Sequence, residues 1–216
     1  MQTVRTRHRS VNLTEKKMVT HTKTSTLPLK PTTRPNVETA VRSILTAVGE
    51  ETDRDGLIDT PRRVARMYEE LLSGYNTDPI TLLNNALFDA EYDEMVVVRG
   101  IEFHSLCEHH MLPFTGEASV GYLPGAKIVG LSKIPRIVDM FARRLQVQER
   151  LTKQIAETIN TLVQPRGVAV VVNGSHMCSV MRGVKKQNSE MITSSMLGEF
   201  KINSSTRNEF LSHIRK

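Results

Sequence analysis

The chain has 216 residues, 39% of them hydrophobic and 24% charged, which suits a soluble globular domain of ordinary size. No run approaches the roughly 18 apolar residues that span a bilayer, and the N-terminus lacks the apolar segment of a secretory signal, so no membrane contact and a cytoplasmic location are expected. The net charge of +6 misleads: residues 1–35 hold eight Lys or Arg and one acid, so the remainder carries −1 and gives no general reason to expect nucleic-acid binding.

Residues 1–35 are rich in Thr, Lys, Arg and Pro and read as a disordered basic tail. Order is expected from Asn36, with residues 36–90 forming an N-terminal helical part and 91–216 a catalytic part. Val37, Val41, Ile44, Leu45 and Val48 fall on one helical face. Thr60 reads as the cap of a second helix, Pro61 as its first residue and Gly74 as its end.

From Glu94 the pattern turns to strands: Met95–Phe103, Gly116–Leu123 and Lys127–Leu131, with Pro124-Gly125 as a turn. Ser132 is placed to cap a helix carrying Ile134, Ile137, Val138, Phe141 and Leu145. A second helix carries Val147, Leu151, Ile155, Ile159 and Leu162 and stops before Pro165. Gly167–Val172 reads as a strand, Met177–Phe200 as short strands with a loop, and Thr206–Glu209 as a capping box opening a C-terminal helix. Strand runs separated by a helix pair predict an α+β fold with a largely antiparallel sheet.

Two short clusters carry the chemistry. Cys107-Glu108-His109-His110 is one and His176-Met177-Cys178 the other. Thiolate and imidazole are preferred zinc ligands, and three protein ligands are the catalytic arrangement. Cys107, His110 and Cys178 would make such a set. If residues 176–178 are extended, His176 and Cys178 share a face. His109 and His176 are then free to move protons near neutral pH. On spacing alone a catalytic metal, a structural metal and no metal all stay open. Lys133, Arg136 and Arg182 are anion-binding candidates, Lys133 at a helix start. Gln148-Glu149 opens a helix, and a carboxylate with an amide neighbour can take the N1–H and 2-amino donors of guanine. As an ordinary first-turn acid it needs no ligand.

These residues resemble the type I GTP cyclohydrolases. The matching segments are Asp59–Tyr68, Ser105–Phe114, Gly130–Ile134, Arg143–Leu151, His176–Cys178 with Met181–Val184, and Thr193–Gly198. The resemblance covers roughly 36–215 and implies a tunnelling fold, an antiparallel sheet with a helix pair on one face, extended by N-terminal helices. It implies a homodecamer of two pentameric rings with active sites between subunits. The implied reaction is zinc-dependent hydrolysis of GTP to 7,8-dihydroneopterin triphosphate and formate, which opens folate and biopterin synthesis. Carried over by position, Cys107, His110 and Cys178 hold Zn²⁺, and His109 and His176 transfer protons, with His176 the candidate for protonating N7. Glu149 with Gln148 holds guanine and Ser132 lies near the ribose. Lys133, Arg136 and Arg182, joined by Arg63 from a neighbouring subunit, bind the triphosphate. The sequence departs from the family at Asn173, where an acid is common, and at Ser179 and Met191. Asn173 is expected to bear on the orientation of His176. Competing readings are a non-catalytic, zinc-stabilised GTP-binding or regulatory oligomer, a nitrile reductase of 7-deazaguanine synthesis, and a nucleic-acid binder acting through the tail.

Overall fold

A computed structural model describes residues 34–215. The expected tail lies outside them except for Arg34 and Pro35, which open the first helix, α1 (Arg34–Ala47). α2 (Thr60–Leu71) packs against α1, and a 3-10 turn (Ser73–Asn76) and α3 (Pro79–Leu83) lead to the sheet region. A five-stranded sheet has the order β5-β2-β3-β6-β7, built from β2 (Val96–Cys107), β3 (Pro113–Leu123), β5 (Leu145–Gln146), β6 (Gly167–His176) and β7 (Met191–Gly198). All its pairings are antiparallel except the short β2–β5 pair. β1 (Leu87–Asp89) and β4 (Lys127–Val129) form a separate antiparallel pair. The result is the expected α+β class.

One face of the sheet is covered by α4 (Lys133–Ala142) and α5 (Gln148–Val163). Their apolar stripes, including Ile134, Ile137, Leu151 and Ile155, are almost fully buried against Phe103, Phe114, Val120 and Val170. The other face carries α7 (Glu199–Ile202) and α8 (Ser204–Ile214), where Phe200 and Phe210 pack on Ala169 and Leu123. α6 (Met177–Val180) is a single turn after β6.

One irregularity sets which face each strand residue meets. Val98 pairs with Val120 but Ile101 with Ala118, so β2 holds one extra residue, with Gly100 at φ 68°. This β-bulge changes the inward parity from even to odd. Val96 and Val98 pack on the helix-side core before it, and Ile101, Phe103 and Cys107 after it.

Several local expectations are corrected. Thr60 is the first residue of α2, not its cap. Asp59 stands at the cap without a side-chain cap bond, its carboxylate pairing instead with Arg62, and the Thr60 hydroxyl donates to the Gly56 carbonyl. α2 ends before Gly74, which lies in the 3-10 turn, where an added Cβ would come within 2.0 Å of the Met140 carbonyl oxygen. α8 is capped by Asn203, whose side chain accepts from the Ser205 and Thr206 amides. Residues 177–180 are helical rather than extended. No residue of the α1 stripe is fully buried within this chain: Val37, Val41 and Leu45 are half-buried, Ile44 is exposed, and Val48 lies exposed just past the helix. No helix among the described residues is long and apolar enough to cross a membrane.

Candidate metal and substrate site

The first cluster is the turn of the β2–β3 hairpin. The Cys107 carbonyl accepts from the His110 and Met111 amides, and the Cys107 amide donates to Leu112. Closing so tight a turn puts Met111 at φ 54°, a region that L side chains rarely adopt and that collects at functional sites. Cys107 is buried at the strand end while His109 and His110 stand exposed at the tip.

Cys178 reaches the same point from α6. One ligand atom each from Cys107, His110 and Cys178 lies within 4.8 Å of the others. Tetrahedral Zn²⁺, with Zn–S about 2.3 Å and Zn–N about 2.0 Å, places ligand atoms about 3.5–3.8 Å apart, so small side-chain rotations close the set. Two thiols and an imidazole, both cysteines free of disulfides, are the donor chemistry that zinc selects. Burial, and then the neighbouring Cys107, push the Cys178 thiol above its ordinary value. A cation within the set reverses that, because a coordinating thiol is deprotonated. Alternation along a strand, the expected basis for pairing His176 with Cys178, is not how they meet: β6 ends at His176 and the helical turn carries Cys178.

His109 lies outside the triad, its Nδ1 3.8 Å from Cys107 Sγ. Arg182 Nη1 is 2.8 Å from His110 Nε2, leaving His110 Nδ1 on the Cys107 side at 4.0 Å.

His176 is half-buried. Its ring stacks on Phe114, its cross-strand partner, with centroids 4.5 Å apart. Its Nε2 lies 2.9 Å from Gln148 Oε1. Burial lowers the imidazole below its ordinary value, and the Glu149 carboxylate partly offsets this. Gln148 is fully buried. Its amide nitrogen serves the Val172 and Met191 carbonyls and the Thr193 hydroxyl, which leaves no free donor for a ligand. Beside it, Glu149 is exposed on the first turn of α5.

The anion candidates are more dispersed. Lys133 opens α4, and its ammonium donates to the Leu82 carbonyl at 2.8 Å. Ser132 stands at the cap of α4 without a side-chain cap bond, and both it and Arg136 are exposed. Arg63 lies exposed on α2, 3.7 Å from Asp59. Asn173 is on the opposite face of β6 from His176, the two being an odd number of residues apart, and donates to Glu190. Its expected influence on His176 therefore has no direct route.

Sequence reasoning missed a brace around the hairpin turn. Arg150 pairs with Glu108 and also donates to Gln146 Oε1 at 3.0 Å, while the Glu108 amide donates to the Gln146 carbonyl. It also missed Phe114, Thr152, Thr193 and Gly174. Helical spacing of Gln148 and Thr152 was a signal for one of them.

Comparison with known proteins agrees with this geometry. The family described as GTP cyclohydrolase I matches residues 37–215. The chain is 58% identical over 175 residues to GTP cyclohydrolase 1 of Methylococcus capsulatus, covering 81% of this chain and 95% of that one. It is 60% identical over 172 residues to GTP cyclohydrolase 1 of Gloeobacter violaceus, covering 80% of each. A solved apo structure of the archaeosine synthase QueF-Like aligns at 19% identity with a TM-score of 0.43, over 50% of this chain and 97% of that one, too distant to carry a functional comparison.

Proposed function

Because the chain belongs to the GTP cyclohydrolase I family, we infer that it is an enzyme with GTP cyclohydrolase I activity, converting GTP to 7,8-dihydroneopterin triphosphate and formate. The observation that carries this reading is the convergence of Cys107, His110 and Cys178 from two separate segments, with His176 held firmly two residues from the last. In that reading the three residues hold Zn²⁺. The ion would supply Lewis-acid chemistry, acidifying water at neutral pH.

The chain's own groups do the rest. His176 delivers a proton to the imidazole-ring nitrogen N7 of guanine, which makes C8 electrophilic. His109, exposed at the hairpin tip, exchanges protons during ring opening and formate release. The Glu149 carboxylate accepts from the guanine N1–H and 2-amino groups. Ser132 lies by the ribose. Lys133, Arg136 and Arg182 take the triphosphate, and engaging it draws Lys133 from Leu82 and Arg182 from His110. Such contacts at both ends of the nucleotide hold C8 in place and reduce the entropic part of the barrier.

Arg63 completes the anion site from a neighbouring subunit in a homodecamer of two pentamers. The apolar residues left exposed on α1, just after it and on α2, Ile44, Val48 and Met67, support assembly. Residues 36–216 form one catalytic domain behind a basic tail, in a cytoplasmic enzyme at the head of folate or biopterin synthesis.

The test is incubation of the zinc-replete full chain with GTP. Formate and, after oxidation, a fluorescent pterin are expected. Binding of GTP without either product would leave the non-catalytic, regulatory reading in its place.

A further inference from the structure

We propose that Gln148 is a positioning residue that holds His176 as its Nε2–H tautomer, so that proton exchange with the substrate runs through Nδ1. The proposal rests on the reading of His176 as a proton-transfer group and adds which atom acts and what selects it.

The argument is one of donors and acceptors. Gln148 Nε2 lies 3.1 Å from the Val172 oxygen and 2.7 Å from the Met191 oxygen. Backbone carbonyls only accept, so the amide nitrogen must face them and Oε1 must face His176. An amide oxygen also only accepts. His176 Nε2, 2.9 Å away, therefore carries the hydrogen.

The neighbouring hydroxyls agree in direction. Thr152 Oγ1 donates to the Gln148 carbonyl at 2.7 Å, so in its 2.6 Å contact with Thr193 it accepts. Thr193 spends its hydrogen there and keeps a lone pair for Gln148 Nε2 at 3.2 Å. The chain of donors runs from the Gln148 amide through Thr193 and Thr152 back to the Gln148 carbonyl. Reversing it would leave Thr152 no hydrogen for the Gln148 carbonyl and set the Thr193 hydrogen against those of the amide.

Space at the acceptor is also specified. A Cβ on Gly174 would come within 2.6 Å of Gln148 Oε1, so only glycine leaves the oxygen its position. Gly174 lies two residues before His176 and points to the same face. Phe114 then covers one side of the imidazole, its plane 2° from parallel.

A neutral acceptor suits a group that cycles. Nε2–H is present in both imidazole and imidazolium, so the bond to Gln148 survives each half of the cycle. In the forward step the Nδ1–H bond of the imidazolium breaks, its electron pair stays on Nδ1, and the proton passes to the substrate nitrogen. In the reverse step Nδ1 accepts a proton. Nothing behind the ring has to move.

The experiment uses the zinc-loaded full chain with ¹⁵N-labelled histidine, the His176 signals assigned by their loss in His176→Asn. Wild type without GTP should show a protonated Nε2 and a bare Nδ1, and the opposite pattern overturns the proposal whatever the activity. Gln148→Met should keep its zinc and a KM for GTP within about threefold of wild type, while kcat falls about 10–100-fold. A raised KM with kcat intact would assign the amide to guanine and overturn it, as would two unchanged constants. Should Gln148→Met not fold, Gly174→Ala displaces the same oxygen and should show the same kcat loss. Absence of formate from zinc-replete wild type removes the activity reading instead, with the nitrogen assignment standing as a separate result.

Discussion

The imidazole of His176 lies flat on Phe114, with ring centroids 4.5 Å apart and planes 2° from parallel. The two residues face each other across β6 and β3, so the stack follows directly from strand register. Phe114 is fully buried and touches the helix-side core, so it transmits the rigidity of that core to a ring that is only half-buried. Phe114→Leu keeps most of the apolar volume and removes the flat surface, giving up a stack worth about 0.5–1.5 kcal/mol. Zinc content should stay unchanged and kcat should fall several-fold. A variant with wild-type kcat would reduce the stack to packing alone.

Metal binding and proton transfer should separate by residue. Cys178→Ala removes one of the three proposed ligands and should lose zinc by elemental analysis. His109→Ala leaves the triad complete and should retain zinc, with turnover down about 10²–10⁴-fold, the range of a lost acid–base group. Equal zinc in Cys178→Ala and wild type would refute the ligand assignment.

The Arg150 brace should tune the metal loop more than global stability. Arg150 ties Glu108, which lies between Cys107 and His109, to Gln146 and to the start of α5. The pair is partly exposed, so its contribution to folding is modest, at most about 1 kcal/mol. Arg150→Met should weaken zinc binding about 10–100-fold, as loss of a ligand's supporting group does. Chelator competition measures this. Unaltered zinc affinity would mean that the turn holds itself.

Asp78 caps α3, accepting from the amide and hydroxyl of Thr81. Those bonds lower its folded pKa below the ordinary value of 3.8. A carboxylate depressed in this way stabilises fully above its unfolded pKa and loses the effect as pH falls through the folded one. Asp78→Ala should therefore melt below wild type at pH 7, and the gap should close as pH drops below 3.8. A gap independent of pH would show that the charge is not what matters.

The candidate metal triad was legible because the chain has only two Cys, and each lies two residues from a His. Its geometric rationale was not: Cys178 comes near Cys107 and His110 through a helical turn, whereas residues 176–178 were expected to be extended. Gln148 shows the limit of local reading. Next to an exposed Glu149 it resembled half of a ligand pair, but its burial depends on β7 arriving 43 residues later to offer the Met191 carbonyl. Likewise β4 pairs with β1, some 40 residues upstream, a long-range choice that period-two patterning does not encode. Helices α4 and α5 were readable because each buries a continuous apolar stripe, except that Leu145, expected on α4, lies in β5 beyond the helix end. The α1 stripe was equally clear in the sequence, yet within one chain it has too little to cover it.

The extra residue in β2 acts as a phase shifter for everything downstream. Remove Arg99 or Gly100 and the strand could still pair along its length, but every later side chain would change sides. Phe103 would leave the core, and Cys107 would point its sulfur toward α8, with the hairpin turn carried round with it. The geometry of the candidate site at one end of the strand is thus set by a count of residues at the bulge, seven positions before Cys107. Substitution at Arg99 should be tolerated far better than its deletion, because what the bulge contributes is not a side chain but an integer.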